Sequence, residues 1–213
     1  MTTILKQPGS TRGKNPATTT QPSPNGPGAL VIADPGALGL GAFALTTFVL
    51  SLSNTGLIPG AGAAVVGLAL FYGGIAQVFA GMWEFVKGNT FGATAFTSYG
   101  AFWLAFWWLL THPETELAAG GAGVGAFLVA WTIFTAFMTV AALKTNRVLV
   151  TLFVALTLTF IALAIGAFSG ITPIHEFGGW LGLATAAIAW YGSAATVINT
   201  TWKRTALPVW PIA

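Results

Sequence analysis

Of the 213 residues, 55% are hydrophobic and only 6% charged, and the mean hydropathy is +0.78. A soluble domain carries about 25% charged residues, so water is excluded as the solvent for most of this surface. The lack of cysteine removes disulfides, thiol nucleophiles and cysteine-bound metals.

Residues 1–30 hold Pro8, Pro16, Pro22, Pro24 and Pro27 among Thr, Gly and Asn, with Lys6, Arg12 and Lys14. The prolines forbid a helix, and too little apolar surface exists to offset the entropy of ordering. A disordered basic tail is expected, with no apolar run long enough for a signal-peptide core.

Six apolar stretches follow, at 36–53, 61–82, 91–111, 120–143, 148–169 and 177–200. Each approximates the ~20 residues that cross a bilayer as a helix. The spacing predicts an all-α integral membrane protein with six transmembrane helices in one bundle over residues 31–205. Residues 206–213 are expected to be a short C-terminal tail. Asp34–Pro35 reads as an N-cap followed by the first helical residue of the first span.

Charge sets the orientation. With both termini cytoplasmic, inside segments hold Lys6, Arg12, Lys14, Lys87, Lys144, Arg147, Lys203 and Arg204, which is every basic residue. The outside loops 54–60, 112–119 and 170–176 hold Glu114, Glu116, Glu176, His112 and His175. Such a split obeys the positive-inside rule and supports six spans. Trp83, Trp180 and Trp202 fall at expected membrane boundaries, where indole is favoured. The charges sit at helix connections, so the net +3 does not point to nucleic acid.

The segment 71–100 organises the bundle. Ala69, Gly73, Gln77 and Gly81 recur every four residues, and small residues at that spacing let helix backbones approach closely in lipid. Gln77 puts an amide in that stripe which cannot cheaply face lipid. Thr94, Thr97, Ser98 and Tyr99 add hydroxyls to the next helix. GLGAF at 39–43 recurs as GVGAF at 123–127, an echo that fits two inverted three-helix halves.

The middles of the six spans contain no Asp, Glu, Lys, Arg or His, the groups that charge-coupled transporters usually keep at depth. No nucleophile is paired with a base, no cluster has metal-ligand spacing and no phosphate loop follows a strand. Neither an enzyme nor a cofactor is expected. The polar groups at depth are amides and hydroxyls, which suit a small solute needing hydrogen bonds rather than charge compensation. Moving a bare anion past apolar rings costs several kcal/mol. A carboxylic acid of pKa ~4 is still neutral in roughly one molecule in a thousand at pH 7. Each hydroxyl also has a plain structural reading, since Ser and Thr in membrane helices commonly bond their own backbone.

These residues resemble the acetate uptake transporter family. DPGALGL at 34–40 is similar to the family's entrance motif. FYGGIAQVFAGMWEFVKGNTFGATAFTSYGAFW at 71–103, LKTNRVL at 143–149 and GGWLGL at 178–183 carry the likeness across about residues 33–205. The resemblance implies a ring-like homohexamer with one pathway per subunit and uptake of acetate and related short carboxylates, succinate among them. Both proton symport and channel-like conduction belong to that expectation. It further implies a hydrophobic gate of Phe43, Tyr99 and Leu156, with Leu156 and Ala189 influencing which acids pass. Asp34, Pro35, Leu38 and Gly39 fall in the entrance motif, where Asp34 replaces the family's Asn.

On this reading Gln77, Thr97, Ser98 and Asn54 supply hydrogen bonds along a multi-pass plasma-membrane pathway (the inner membrane in a bacterium). Its partners are acetate-like acids, protons and the bilayer. A channel for a neutral solute such as urea, an amide or ammonia is the alternative within transport. A membrane sensor or scaffold using the basic tail is the alternative of another class.

Overall fold

Lipid offers no hydrogen bonds to a backbone, so a chain this apolar closes its main-chain bonds within helices. The computed structural model describes residues 32–212; the expected tail at 1–30 lies outside them. Among the described residues the regular structure is helical, apart from an isolated bridge between Asn146 and Pro211.

The elements are α1 (Gly36–Asn54), α2 (Ala61–Leu70), a π-helical segment (Phe71–Ala76), α3 (Gln77–Lys87), α4 (Thr90–Thr111), α5 (Pro113–Ala142), α6 (Arg147–Ser169) and α7 (Thr172–Trp202). The stretch from α2 to α3 is one rod, Ala61–Lys87. Five rods are long and apolar enough to cross a membrane by themselves. Helix α4 is not among them, because Tyr99, its tryptophans, and its Thr, Ser and Gly dilute its hydropathy although it carries no charge.

Local chemistry sets the ends. Asn89 and Asn146 accept the Gly92 and Leu149 N–H groups at 3.2 and 2.9 Å, capping α4 and α6. Gly88 and Gly170 close α3 and α6 with φ of 79° and 66°, a left-handed turn natural to glycine. Asp34 Oδ1 accepts the Gly36 N–H at 2.9 Å. Pro35, expected as the first helical residue, stands one place ahead of α1 with helical dihedrals of −72° and −14°.

Two expected loops are shorter than anticipated. Residues 113–119, placed in an outside loop, are helical and join α5 through a kink at Gly120, whose φ is 54°. Proline at the first position and Glu114 and Glu116 in the first turn stabilise that start. Likewise α7 begins at Thr172, inside the loop expected at 170–176. Length and charge alone made both stretches look non-helical.

Glycine lets the rods meet closely. A Cβ on Gly73 would lie 2.8 Å from both Trp103 Cγ and Thr46 Oγ1, and one on Gly100 would lie 2.5 Å from Val78 Cγ2. Gly81 sits directly against Thr97. The rods pack in the order α1, α7, α6, α5, α4, α3 and back to α1.

The C-terminal residues expected as a tail form a strap. Asn199 accepts the Ala206 and Leu207 N–H groups at 2.7 and 2.9 Å and donates to the Leu207 carbonyl at 2.8 Å. The Tyr191 hydroxyl donates to the Pro208 carbonyl at 2.7 Å. Trp210 stacks on Tyr191, and its carbonyl accepts the Arg147 N–H at 3.0 Å.

Adding a methyl where the rods touch should be costly. Gly81→Ala is expected to destabilise the protein by about 1–3 kcal/mol through overpacking against Thr97. Gly67→Ala, with nothing within 4 Å, is expected to leave stability unchanged. Thermal denaturation midpoints in detergent check both.

Candidate functional site

A strict four-residue repeat runs ahead of a 3.6-residue turn by about 40° at each step. The wider π turn at Phe71–Ala76 absorbs that drift, so Ala69, Gly73, Gln77 and Gly81 are all buried. The π segment therefore presents Gln77 to the inside of the bundle, where its side chain is 1% exposed. Single π turns recur beside functional sites for this kind of reason.

Two chambers lie inside the bundle. The first, of about 310 Å³, is lined by Gln77, Tyr99, Phe153, Asn146 and Val209, among others, and Asp34, Glu84 and Lys87 stand at its end. The second, of about 300 Å³, is lined by Thr47, Ser51, Asn54 and Trp103, with Glu116 and His175 among its residues. The first lies toward the end with the described basic connections and the second toward the opposite end. They are called inner and outer below.

Among the described residues, only Phe43 and Leu156 line both chambers. Tyr99 borders the inner one, with its ring 5.7 Å from that of Phe43. Of the three expected gate residues, Phe43 and Leu156 thus face both spaces and Tyr99 packs on Phe43 from the inner side. Thr135 spends its hydrogen on the Trp131 carbonyl at 2.7 Å, so Tyr99 must donate its own to Thr135 Oγ1 at 2.9 Å. What Tyr99 offers the chamber is its ring face, fixed edge-on against Phe134 at 5.4 Å.

Most hydroxyls at depth are satisfied locally. Thr46, Thr135, Thr139, Thr157, Thr159 and Thr185 each donate to the carbonyl four residues back at 2.7–2.9 Å. Among the described residues, four buried polar side-chain atoms have no protein partner: Thr47 Oγ1, Gln77 Oε1, Thr97 Oγ1 and Trp103 Nε1. Buried polar groups are normally bonded, so exceptions mark places of interest. Three of the four line a chamber: Gln77 the inner one, Thr47 and Trp103 the outer.

The other expected site residues are placed as follows. Asn54 lines the outer chamber. Thr97 and Ser98 line neither chamber, and Thr97 instead fills the α3–α4 crossing against Gly81. Ala189 is fully buried in the core, and Gly39 lies under the Phe96 ring. Leu38 is exposed, and Asp34 borders the inner chamber.

One carboxylate escaped the sequence reading. Glu84 is 1% exposed although it sits beyond the expected end of the second span. It accepts from Asn89 Nδ2 at 2.8 Å and lies 3.8 Å from Lys87 Nζ, which pairs with Asp34 at 2.9 Å. The signal was present, because Glu84 extends the Gln77–Gly81 face by one further turn. Among the described residues no group of three or more potential metal ligands occurs.

The profile of the GPR1/FUN34/yaaH family matches residues 17–213. The chain belongs to this family. It is 44% identical over 180 residues to the succinate-acetate/proton symporter SatP of Escherichia coli (strain K12), covering 84% of this chain and 95% of that protein. It is 40% identical over 198 residues to acetate permease A of Emericella nidulans, covering 83% and 65%. Identity to ammonia transport outward protein 2 of Saccharomyces cerevisiae is 42% over 177 residues, covering 78% and 61%. The solved structure of the bacterial acetate channel SatP aligns with a TM-score of 0.80 at 44% identity, covering 84% of this chain and 99% of that one. The chambers therefore sit in a chain whose relatives include proteins named for transport.

Lys87 is the counter-charge for a buried carboxylate, and its removal is testable. Lys87→Met is expected to destabilise the protein by about 1–3 kcal/mol by leaving Glu84 with only an amide partner. Adding Glu84→Gln should recover most of that loss, read from thermal midpoints in the same detergent.

Proposed function

We propose that the protein carries acetate and related short carboxylates across the plasma membrane, as the protonated acid or together with a proton. The observation that carries the proposal is the pair of chambers that, among the described residues, share only Phe43 and Leu156. A wall of apolar side chains opposes a bare anion by several kcal/mol and opposes a neutral acid far less. Relatives named for succinate-acetate/proton symport and acetate permeation supply the substrate class.

In this reading six rods span the membrane, α4 among them, shielded by its neighbours despite its diluted hydropathy. Both termini face the cytoplasm, as the positive-inside rule requires of Lys87, Lys144, Arg147, Lys203 and Arg204. Phe43, Tyr99 and Leu156 act as the gate, Gln77 and Asn54 bond the solute on either side, and Leu156 and Ala189 tune selectivity. The entrance motif at Asp34, Pro35, Leu38 and Gly39 shapes the inner mouth. The inverted three-helix repeat and the homohexamer with one pathway per subunit complete the proposal.

A second reading, a channel for ammonia or another neutral solute, is favoured by the yeast relative named for outward ammonia transport. It predicts flux independent of pH and indifferent to acetate.

Uptake of labelled acetate into proteoliposomes separates the two. Accelerated uptake over empty vesicles at mildly acidic pH is expected, and its absence with folded protein would sink the carboxylate reading. Phe43→Ala is expected to widen the gate and admit bulkier acids such as lactate, measured by the same uptake. Unchanged selectivity would assign Phe43 to packing alone.

A further inference from the structure

The strap that follows α7 is held at two places. Near its root, Asn199 bonds the backbone of Ala206 and Leu207, and Tyr191 donates to the Pro208 carbonyl. At its far end it pairs with the turn between α5 and α6. There the Arg147 N–H donates to the Trp210 carbonyl and the Ile212 N–H to the Thr145 carbonyl, both at 3.0 Å. Asn146 and Pro211 face each other between those two bonds as an antiparallel bridge. This position in an antiparallel pair asks for no N–H, so a proline fits it.

Between the two anchors lies Val209, which lines the inner chamber together with Asn146 of the turn and Gly192 and Thr196 of α7. The strap thus runs from the end of α7 to the start of α6 with one side chain in the chamber lining. Its backbone is strained at both ends. Among the described residues, the non-glycine residues with positive φ are Lys203 at 52°, where the strap leaves α7, and Trp210 at 50°, at the far anchor. A bulky residue is disfavoured in that region, and such a conformation persists only while its surroundings hold it. Trp210 is held by stacking on Tyr191, with ring centroids 6.3 Å apart, and by its bond from Arg147. Its side chain stays half exposed. An anchor that buries so little apolar surface is a low-cost part of the fold to open.

We infer that residues 208–212 form a lid on the inner chamber, with Trp210 as its latch. Latched, Val209 narrows the opening of the chamber. Released, Trp210 relaxes to ordinary backbone and Val209 leaves the lining, while the Asn199 bonds keep the root of the strap attached. The consequence for flux rests on the transport reading above; the opening and closing of the chamber does not.

The chain has no cysteine, so introduced thiols report without background. Asn146→Cys combined with Pro211→Cys puts two thiols at a non-hydrogen-bonded antiparallel pair, whose Cα separation of about 4.5 Å suits a disulfide. In proteoliposomes, oxidation of this full-length double variant is expected to slow initial-rate acetate uptake by at least about threefold, and a reductant to restore it in the same vesicles. Neither single variant should respond to the oxidant. A second readout needs no transport. In Val209→Cys protein in detergent, adding Trp210→Ala is expected to speed modification of the thiol by a bulky soluble maleimide about tenfold.

A disulfide that forms and leaves uptake unchanged overturns the lid while the transport reading stands. Failure of the pair to oxidise in folded protein overturns the latch, and the lid with it. If folded wild type moves no acetate, the transport reading falls and the maleimide decides: equal modification with and without Trp210→Ala overturns the lid as well.

Discussion

Close contact between helix backbones, made with glycine, is the constraint from which the rest of the structure follows. In lipid no hydrophobic force draws two helices together, so packing must come from surfaces that fit. Gly73, Gly81 and Gly100 let the rod Ala61–Lys87 and α4 meet with side chains such as Trp103, Thr97 and Val78 laid directly on backbone. That contact brings the α4 ring of Tyr99 to within 5.7 Å of Phe43 on α1. It also holds Gln77 inward, because the π turn keeps a four-residue stripe on one face. Remove the close approach and the wall, the amide and the indole all lose their positions together.

The resulting interior separates dipoles from ions. Residues with partnerless amide, hydroxyl and indole groups line the chambers, while acidic, lysine and histidine side chains gather at their ends: Asp34, Glu84 and Lys87 at one, Glu116 and His175 at the other. An ion moved into the middle would exchange hydration for aromatic rings. A neutral acid would exchange a few water hydrogen bonds for protein ones of similar strength, which is close to an even trade. On the proposed reading the arrangement opposes a charged cargo before it discriminates by shape.

The sequence made much of this legible and hid the rest for identifiable reasons. The small-residue stripe and the charge asymmetry were visible because each is a local pattern with a local cause. The π turn was implicit in the strict four-residue repeat, which a regular α-helix cannot keep on one face for three turns. Glu84 went unremarked because it falls past the expected end of the second span at residue 82, whereas a lysine and an asparagine cover it in the fold. Which threonine keeps its hydroxyl free could not be read from sequence, since Thr46 and Thr47 differ only in the direction they face. The C-terminal strap depends on Asn199 and Tyr191 reaching chain seven to seventeen residues away, a contact with no sequence period.

Asp34 shows how one departure from the family's pattern can be understood from charge. An Asn there would cap the Gly36 N–H as well as the aspartate does, so capping does not explain the change. What an Asn could not do is hold Lys87 at 2.9 Å. With Asp34 present, two carboxyl groups share one ammonium, and the longer 3.8 Å contact falls to buried Glu84. Lys87, at the end of the inner chamber, is thereby matched by two carboxylates. Among the described residues that line the inner chamber Lys87 is the one lysine or arginine, and two carboxylates draw on its charge. On the proposed reading a carboxylate at this position weakens the mouth's pull on an anion, the same direction in which the apolar residues between the chambers act.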